Sequence, residues 1–407
     1  MRRFISTTRV LAVAVTACLL CSPFSQAKKP DRPGGGGGGG GDSAPSYQII
    51  ELDNFDGLFS GFAFNINNVG QAVGHINDGL YDHDVAAGWV IDNSGPQLPT
   101  TLQTLTDGTV ANDVNDLGEI VGERVDDSDP QNPAWSALYW EHADAEPLVL
   151  PVPEGATVAA AESINHDSVI CGWAATFDPQ QQRYVQDGLV WRINFEDVGG
   201  KILPVVWGPL VLPAVTPDGS VQPVDINDSD TDGIVRVVGS EFEAEENAPA
   251  AIAWDVMLLA DGSLVASPMV DVLDIDAQGY GVNNARATCG ARSVDAIVWE
   301  DSATHILDRS ATIRPSIGKR KPISFATAHR ISNGGVIVGQ ANASVYRKAV
   351  VWPSVDAPII LLDNFLKKNS SFTELNRAVG VNDAGEIVGY GWDNERGIHP
   401  GFLAIPE

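Results

Sequence analysis

The sequence predicts an all-β protein, a β-propeller built from seven repeats of about four antiparallel strands each. Three observations carry this expectation. The phrase VNDLGEIVG at 114–122 returns as VNDAGEIVG at 381–389, with only Leu117 and Ala384 differing. Five weaker copies stand at other positions, so that the Asn-type residue falls at 67, 115, 165, 227, 283, 332 and 382, spaced 48 to 62 residues apart. A period near fifty made of short strands and turns matches propeller blades rather than helical solenoids or leucine-rich horseshoes.

The phrase itself reads as strand, turn, strand. Val114 lies in a short apolar element, and Asn-Asp-x-Gly then makes a tight reversal in which Asn folds back on its own backbone and Gly takes the positive-φ place. Glu-Ile-Val-Gly leaves the turn as the second strand. The copies are NINNVGQAVG (65–74), DVNDLGEIVG (113–122), SINHDSVICG (163–172), DINDSDTDGIVRVVG (225–239), GVNNARATCG (281–290), RISNGGVIVG (330–339) and GVNDAGEIVG (380–389). Three residues before the Ile or Val stands a small residue, Ala63, Ala111, Ala161, Gly279, Ala328 or Ala378, with Pro223 as the exception.

A third strand follows with the signature small-x-x-Trp, ending at Trp89, Trp140, Trp191, Trp254, Trp299 and Trp352; the seventh copy, GFLA at 401–404, has Ala404 instead. Apolar segments such as YQIIEL (47–52), PLVLPV (147–152) and PIILLD (358–363) supply a fourth strand. Each Trp is expected in the core, its flat ring filling the gap between neighbouring sheets. Four strands per unit and seven units suit a closed propeller. The alternative is an open β-solenoid, which needs atypical capping units. Here the first and last units match the consensus nearly as well as the middle ones.

Outside the repeats, residues 1–27 read as a secretory signal peptide. Arg2, Arg3 and Arg9 precede the apolar LAVAVTACLL, and Ser25-Gln26-Ala27 is a small-residue cleavage site. Val15-Thr16-Ala17-Cys18 resembles a lipoprotein box, so a lipid-anchored envelope protein is the alternative to a secreted or periplasmic one. The apolar run is too short to span a membrane. Residues 28–46, with eight consecutive glycines, form a flexible linker rather than a phosphate loop, which would need a strand before it and a helix after it. Residues 47–407 are then one seven-repeat domain, expected to be a monomer.

The formal charge is −28, and −28 less the three arginines of the leader gives −31. Such an acidic surface repels phosphate backbones and anionic lipid, which excludes nucleic acid as a natural partner. It is compatible with cation binding. Cys171 and Cys289 replace a repeated apolar residue in units three and five, so they are expected to be free, buried and slow to react.

The pattern A-x-x-I-N-x-x-G-x-I-V-G followed by small-x-x-W resembles the bacterial extracellular HAF repeats, over nearly all of 47–407. The His-Ala-Phe triplet of that family survives only as a trace at His399-Pro400-Gly401-Phe402. The resemblance implies secretion and a repeated β-architecture, and it carries no catalytic residues.

No G-x-S-x-G elbow, H-E-x-x-H helix or C-x-x-C pair occurs, and no catalytic or cofactor-binding residue is assigned. His83, between Asp82 and Asp84, reads as a polar-loop residue. The Asn column reads as turn-capping in preference to a functional ring. Departures from the repeat are more informative. Unit four is lengthened to give Asp228, Asp230 and Asp232 before Gly233, a D-x-D-x-D-G stretch of calcium-loop type and the sole candidate metal site. Its ninth and twelfth places are Arg236 and Gly239, so Glu241 or Glu243 would have to supply the late acidic ligand. The loops VDDSDPQNPAW (125–135) and EFEAEENAP (241–249), and the connector VVWGPLVLP (205–213), are the other irregular features.

These readings give a secreted or envelope-associated binding or scaffold protein, contacting a glycan or a cell-surface protein through propeller-face loops. The alternative is a polysaccharide hydrolase or lyase on the same scaffold. That alternative requires two or three carboxylates converging in the channel.

Overall fold

The computed structural model describes residues 45–52, 60–77, 84–92, 95–96, 100–101, 108–126, 134–180, 182–197, 199–242, 249–300, 303–314 and 319–407. The signal peptide, Cys18 and the glycine linker up to residue 44 lie outside the described residues, as do His83, Glu243 and the middles of the loops at 125–135 and 241–249.

The described residues form seven antiparallel sheets of four or five strands, one per repeat, and a two-stranded hairpin. Blade two shows the plan. Thr109–Val114 pairs with Ile120–Asp126, which pairs with Ala134–Trp140, which pairs with Leu148–Val149. The first strands of successive blades contact one another around an axis. The chain therefore starts each blade at the centre, works outward, and crosses to the centre of the next. Residues 205–211 of the connector belong to Ile202–Val211, the outer strand of blade three, paired with the long Arg183–Asp197.

The ring is closed by exchange of termini. Tyr47–Glu51 pairs with Gly401–Pro406, Tyr47 opposite Pro406 and Glu51 opposite Phe402, and so becomes the outer strand of blade seven. A solenoid leaves its two ends apart, so this pairing excludes it.

The tryptophan register holds around the ring. Trp89, Trp140, Trp191, Trp254, Trp299 and Trp352 are all buried. They face Ala72, Ile120, Ile170, Val237, Thr288 and Ile337 on the second strands, and Ala404 faces Ile387 at the same place in blade seven. Trp191, Trp254 and Trp352 donate their indole N–H to the carbonyls of Pro151, Pro213 and Asp308, at 2.7–2.8 Å, which tie each blade to the outer segment of the one before. Where the seventh tryptophan is missing, Ala404 shares its core with Tyr47, Phe372 and Phe402, and Phe365 packs edge-on against Tyr47 at 5.5 Å.

Every first strand carries a bulge just before its Ile or Val, between Ala63 and Asn65 in blade one and at the matching place in the other six. The bulge explains the glycine that ends each copy of the repeat. A Cβ at Gly74, Gly122, Gly172, Gly239, Gly290, Gly339 or Gly389 would lie 1.8–2.2 Å from a carbonyl oxygen of the neighbouring first strand. That is a backbone collision in all seven blades, so only glycine fits.

Candidate functional site in the axial channel

Four layers of side chains surround the axis, and each is one column of the repeat. At the mouth stands the Asn column. Asn67 Oδ1 accepts from the amides of Val69 and Gln71, and Asn115 Oδ1 from those of Leu117 and Glu119. This is the turn-capping expected from the sequence. The same side chains also form a ring. The Nδ2 groups of Asn67, Asn115, Asn165, Asn227 and Asn283 each donate to the backbone carbonyl of the equivalent residue in the next blade, at 2.8–3.2 Å. Asn382 closes the circle onto Asn67. Ser332, whose short side chain accepts from the Val336 amide and carries no Nδ2, breaks it once.

The next residue in each turn forms a rim around the mouth: Asn68, Asp116, His166, Asp228, Asn284, Asn333 and Asp383. Asn68 donates to Asp116, Asn284 to Asp228 and Asn333 to Asp383 through their side-chain amides, at 2.8–3.1 Å. The bowl below this rim is a small cavity of about 140 Å³.

Two residues before each Asn comes the floor, where the column reads Asn65, Asp113, Ser163, Asp225, Gly281, Arg330 and Gly380. Ser163 Oγ lies within hydrogen-bonding distance of both Asp113 and Asp225, its single proton shared between them, so these carboxylates converge across blades two to four. Arg330 reaches from blade six to pair with Asp225, and its other terminal nitrogen lies 3.9 Å from Asp113. Asn65 donates to Asp113 as well. The amides of Val114 and Ile164 donate to Asp113 at 2.8 and 3.0 Å, and that of Val282 to Asp225 at 2.8 Å. Burial pushes the Asp113 carboxyl above its ordinary range despite the opposing Arg330. Burial also works against the charge on Arg330, but Asp225 and Asp113 more than offset it, and its pKa is raised. The group is a cross-axial plug of one cation and two anions. Chemically, both carboxylates are engaged by donors of the protein itself.

Below the plug lie the bulge residues, three before each Asn: Phe64, Asn112, Glu162, Val224, Tyr280, His329 and Val379. All seven are half-buried, whereas the flanking small residues are fully buried. Glu162 accepts from the indole of Trp173 at 2.6 Å, and burial raises its pKa, against the opposing effects of Trp173 and Arg330. His329 is held neutral, its pKa driven well down first by burial and then by Arg377 and Arg330.

The candidate metal ligands serve separate tasks. Asp228 belongs to the rim, accepting from the His166 amide at 2.8 Å and the Asn284 side chain. Asp230 Oδ1 caps a turn of its own, accepting from the amides of Asp232 and Ile234 at 2.9 and 3.0 Å. The inserted residues thus rebuild the Asn-x-x-Gly turn as Asp230-x-x-Gly233. Glu241 instead accepts from the amides of Val215 and Thr216, at 2.6 and 2.8 Å. Among the described residues, no group of three His, Cys, Asp or Glu is placed to hold a metal ion. Cys171 and Cys289 are free and fully buried, and burial drives both thiols upward in pKa.

Sequence reasoning missed the plug and the bulge layer. The signal was available: two columns that change from blade to blade inside strands whose other columns stay small or apolar.

No family model matches this chain, and no curated protein matches it. Among solved structures the fold resembles that of Trypanosoma rangeli sialidase in complex with 2,3-difluorosialic acid as a covalent intermediate, at a TM-score of 0.37 and 9% identity. The same sialidase with sialic acid gives 0.36 and 9%. In both cases 89% of this chain is covered, and it spans 59% of the sialidase. Sqt1 from Chaetomium thermophilum gives 0.30 and 12%, over 89% of this chain and 100% of that one. Likenesses this remote carry nothing about ligand or activity. Among the described residues no helix is long and apolar enough to cross a membrane.

Proposed function

We propose that this protein is a secreted or envelope-associated binding protein that takes a glycan at the axial mouth. The supporting observation is the open bowl of about 140 Å³ rimmed by amides, carboxylates and one imidazole from seven turn tips. Planar amides and carboxylates are the groups that hydrogen-bond sugar hydroxyls, and a rim on short, capped turns is already ordered before a ligand arrives. The signal-like segment 1–27 and the resemblance to HAF repeats support export. A polar loop of a surface protein is the competing occupant.

Binding is favoured over polysaccharide cleavage by one feature of the plug. Glycosidic chemistry needs one carboxyl free to protonate and a second free to attack or activate water. Asp113 and Asp225 converge, yet they share the Ser163 proton, and each also holds a backbone amide and a side-chain donor, Asn65 on Asp113 and Arg330 on Asp225. A glycan array probed with the mature chain, with mass spectrometry of the eluted glycans, tests the proposal. Retention of an intact glycan, lost in the double variant Asp116→Ala/Asp383→Ala, is the expected result. Shortened products would favour the enzyme, and absence of any retained glycan would sink the glycan reading.

A further inference from the structure

Acidic residues outnumber basic ones 53 to 25 in this chain, so a cation that lacks an acidic partner is out of place. Arg377 is such a cation. It lies on Glu374–Val381, the first strand of blade seven, five residues before Asn382 and below the plug. Its Nε lies 3.3 Å from Nε2 of His329 and its Nη2 lies 2.9 Å from Nδ1 of the same ring. A guanidinium only donates, and a neutral imidazole has one accepting nitrogen. His329 therefore satisfies one of these donors and leaves the other facing an N–H. Among the described residues no carboxylate pairs with Arg377, although Arg330, one layer above, pairs with Asp225. Removing a guanidinium from water without a counter-charge is costly.

The surroundings define what would complete it. Tyr390 is the cross-strand partner of Arg377, and Phe62 of blade one packs edge-on against Tyr390 at 5.0 Å. Tyr280 packs on the His329 ring that Arg377 touches, with centroids 5.7 Å apart. All of these side chains are half-buried, and Phe62 already stacks one face on His75 at 4.8 Å. An uncompensated fork of N–H donors suits a planar carboxylate, which it can grip with two parallel bonds. Aromatic faces beside it suit the C–H face of a pyranose ring.

We infer that Arg377, flanked by Phe62, Tyr280 and Tyr390, is a binding site for a carboxylated sugar, on the opposite side of the plug from the mouth. It stands independently of the glycan reading for the mouth, since it uses other residues and another charge type. The carboxylate takes the free guanidinium edge, and the sugar ring lies against the aromatic wall. Long-range repulsion from the acidic surface opposes its approach, and salt screens that repulsion more than it screens a half-buried ion pair. Affinity should therefore hold or rise as ionic strength increases to physiological values.

Calorimetric titration of the mature chain with glucuronate, its methyl ester, glucose and acetate provides the test. The expected result is glucuronate binding at least tenfold tighter than the other three, with an affinity that does not fall between low salt and about 0.15 M. Arg377→Gln should lower glucuronate affinity at least tenfold. The ligand series needs no variant, so the test survives even if that substitution misfolds. Equal binding of ester and acid, equal binding of acetate and glucuronate, unchanged affinity in Arg377→Gln, or no binding of glucuronate would each overturn the assignment.

Discussion

Asn382 Nδ2 donates to the backbone carbonyl of Asn67 across 3.0 Å, joining residues 315 apart in sequence. This bond makes the last blade the neighbour of the first at the axis, as the pairing of Tyr47–Glu51 with Gly401–Pro406 does at the rim. The same contact recurs between most successive blades. The Asn column therefore caps its turns and also ties the innermost strands into a circle.

That circle has a single break, and it is repairable. Ser332 caps its turn through Val336 at 3.2 Å but has no Nδ2 to offer the carbonyl of Asn382. Ser332→Asn should supply the seventh link and raise stability by about 0.5–1.5 kcal/mol, the net worth of one hydrogen bond. Urea melts of the two proteins check this, and a loss of stability would contradict the ring's geometry.

Trp140 is fully buried at the repeat position, while Trp392 stands outside it and is half-buried beside His399 at 4.7 Å. Trp140→Ala should cost about 3–5 kcal/mol, as for a buried large aromatic. Trp392→Ala should cost clearly less. Equal shifts in denaturant midpoint would refute the register.

The plug makes a prediction about pH. Arg330→Met leaves two buried carboxylates without their cation, which should cost about 3–5 kcal/mol at pH 7. Burial already raises the Asp113 pKa above its unfolded value, and loss of Arg330 removes an opposing effect and raises it further. A raised folded-state pKa contributes stability that is present below the unfolded pKa and lost as pH rises through the folded one. The deficit of the variant should therefore shrink as pH falls from 7 into the carboxylate range. Parallel stability curves for variant and parent would count against the plug.

Calcium remains a proposal to be tested at Asp228, Asp230 and Asp232. The hydrogen bonds of the first two predict that they stay with the rim and the turn. Asp230→Ala should lower stability by about 1 kcal/mol without any metal present, through loss of its two amide bonds. Calcium and magnesium at equal ionic strength should then raise Tm alike, by screening. A rise specific to calcium that Asp230→Ala abolishes would establish a site instead.

The strands, their number per blade and the tryptophan register were legible in the sequence, because each is a local pattern repeated in phase. Asn-x-x-Gly must turn, the following residues must alternate, and a tryptophan recurring behind a small residue must be packed. Even the closing glycine was visible as a repeated letter, although the carbonyl it accommodates was not. Neither the plug nor the layer below it could be read this way. Asp113, Ser163, Asp225 and Arg330 lie from 50 (163 less 113) to 217 (330 less 113) residues apart in the contacts they make, and nothing local marks a carboxylate in one blade as the partner of a cation two blades on. Tyr280, His329 and Arg377 meet only because the ring brings the first strands of neighbouring blades to one axis. Charge pairing and close packing there depend on distances across the ring, and closure of the ring alone sets those distances.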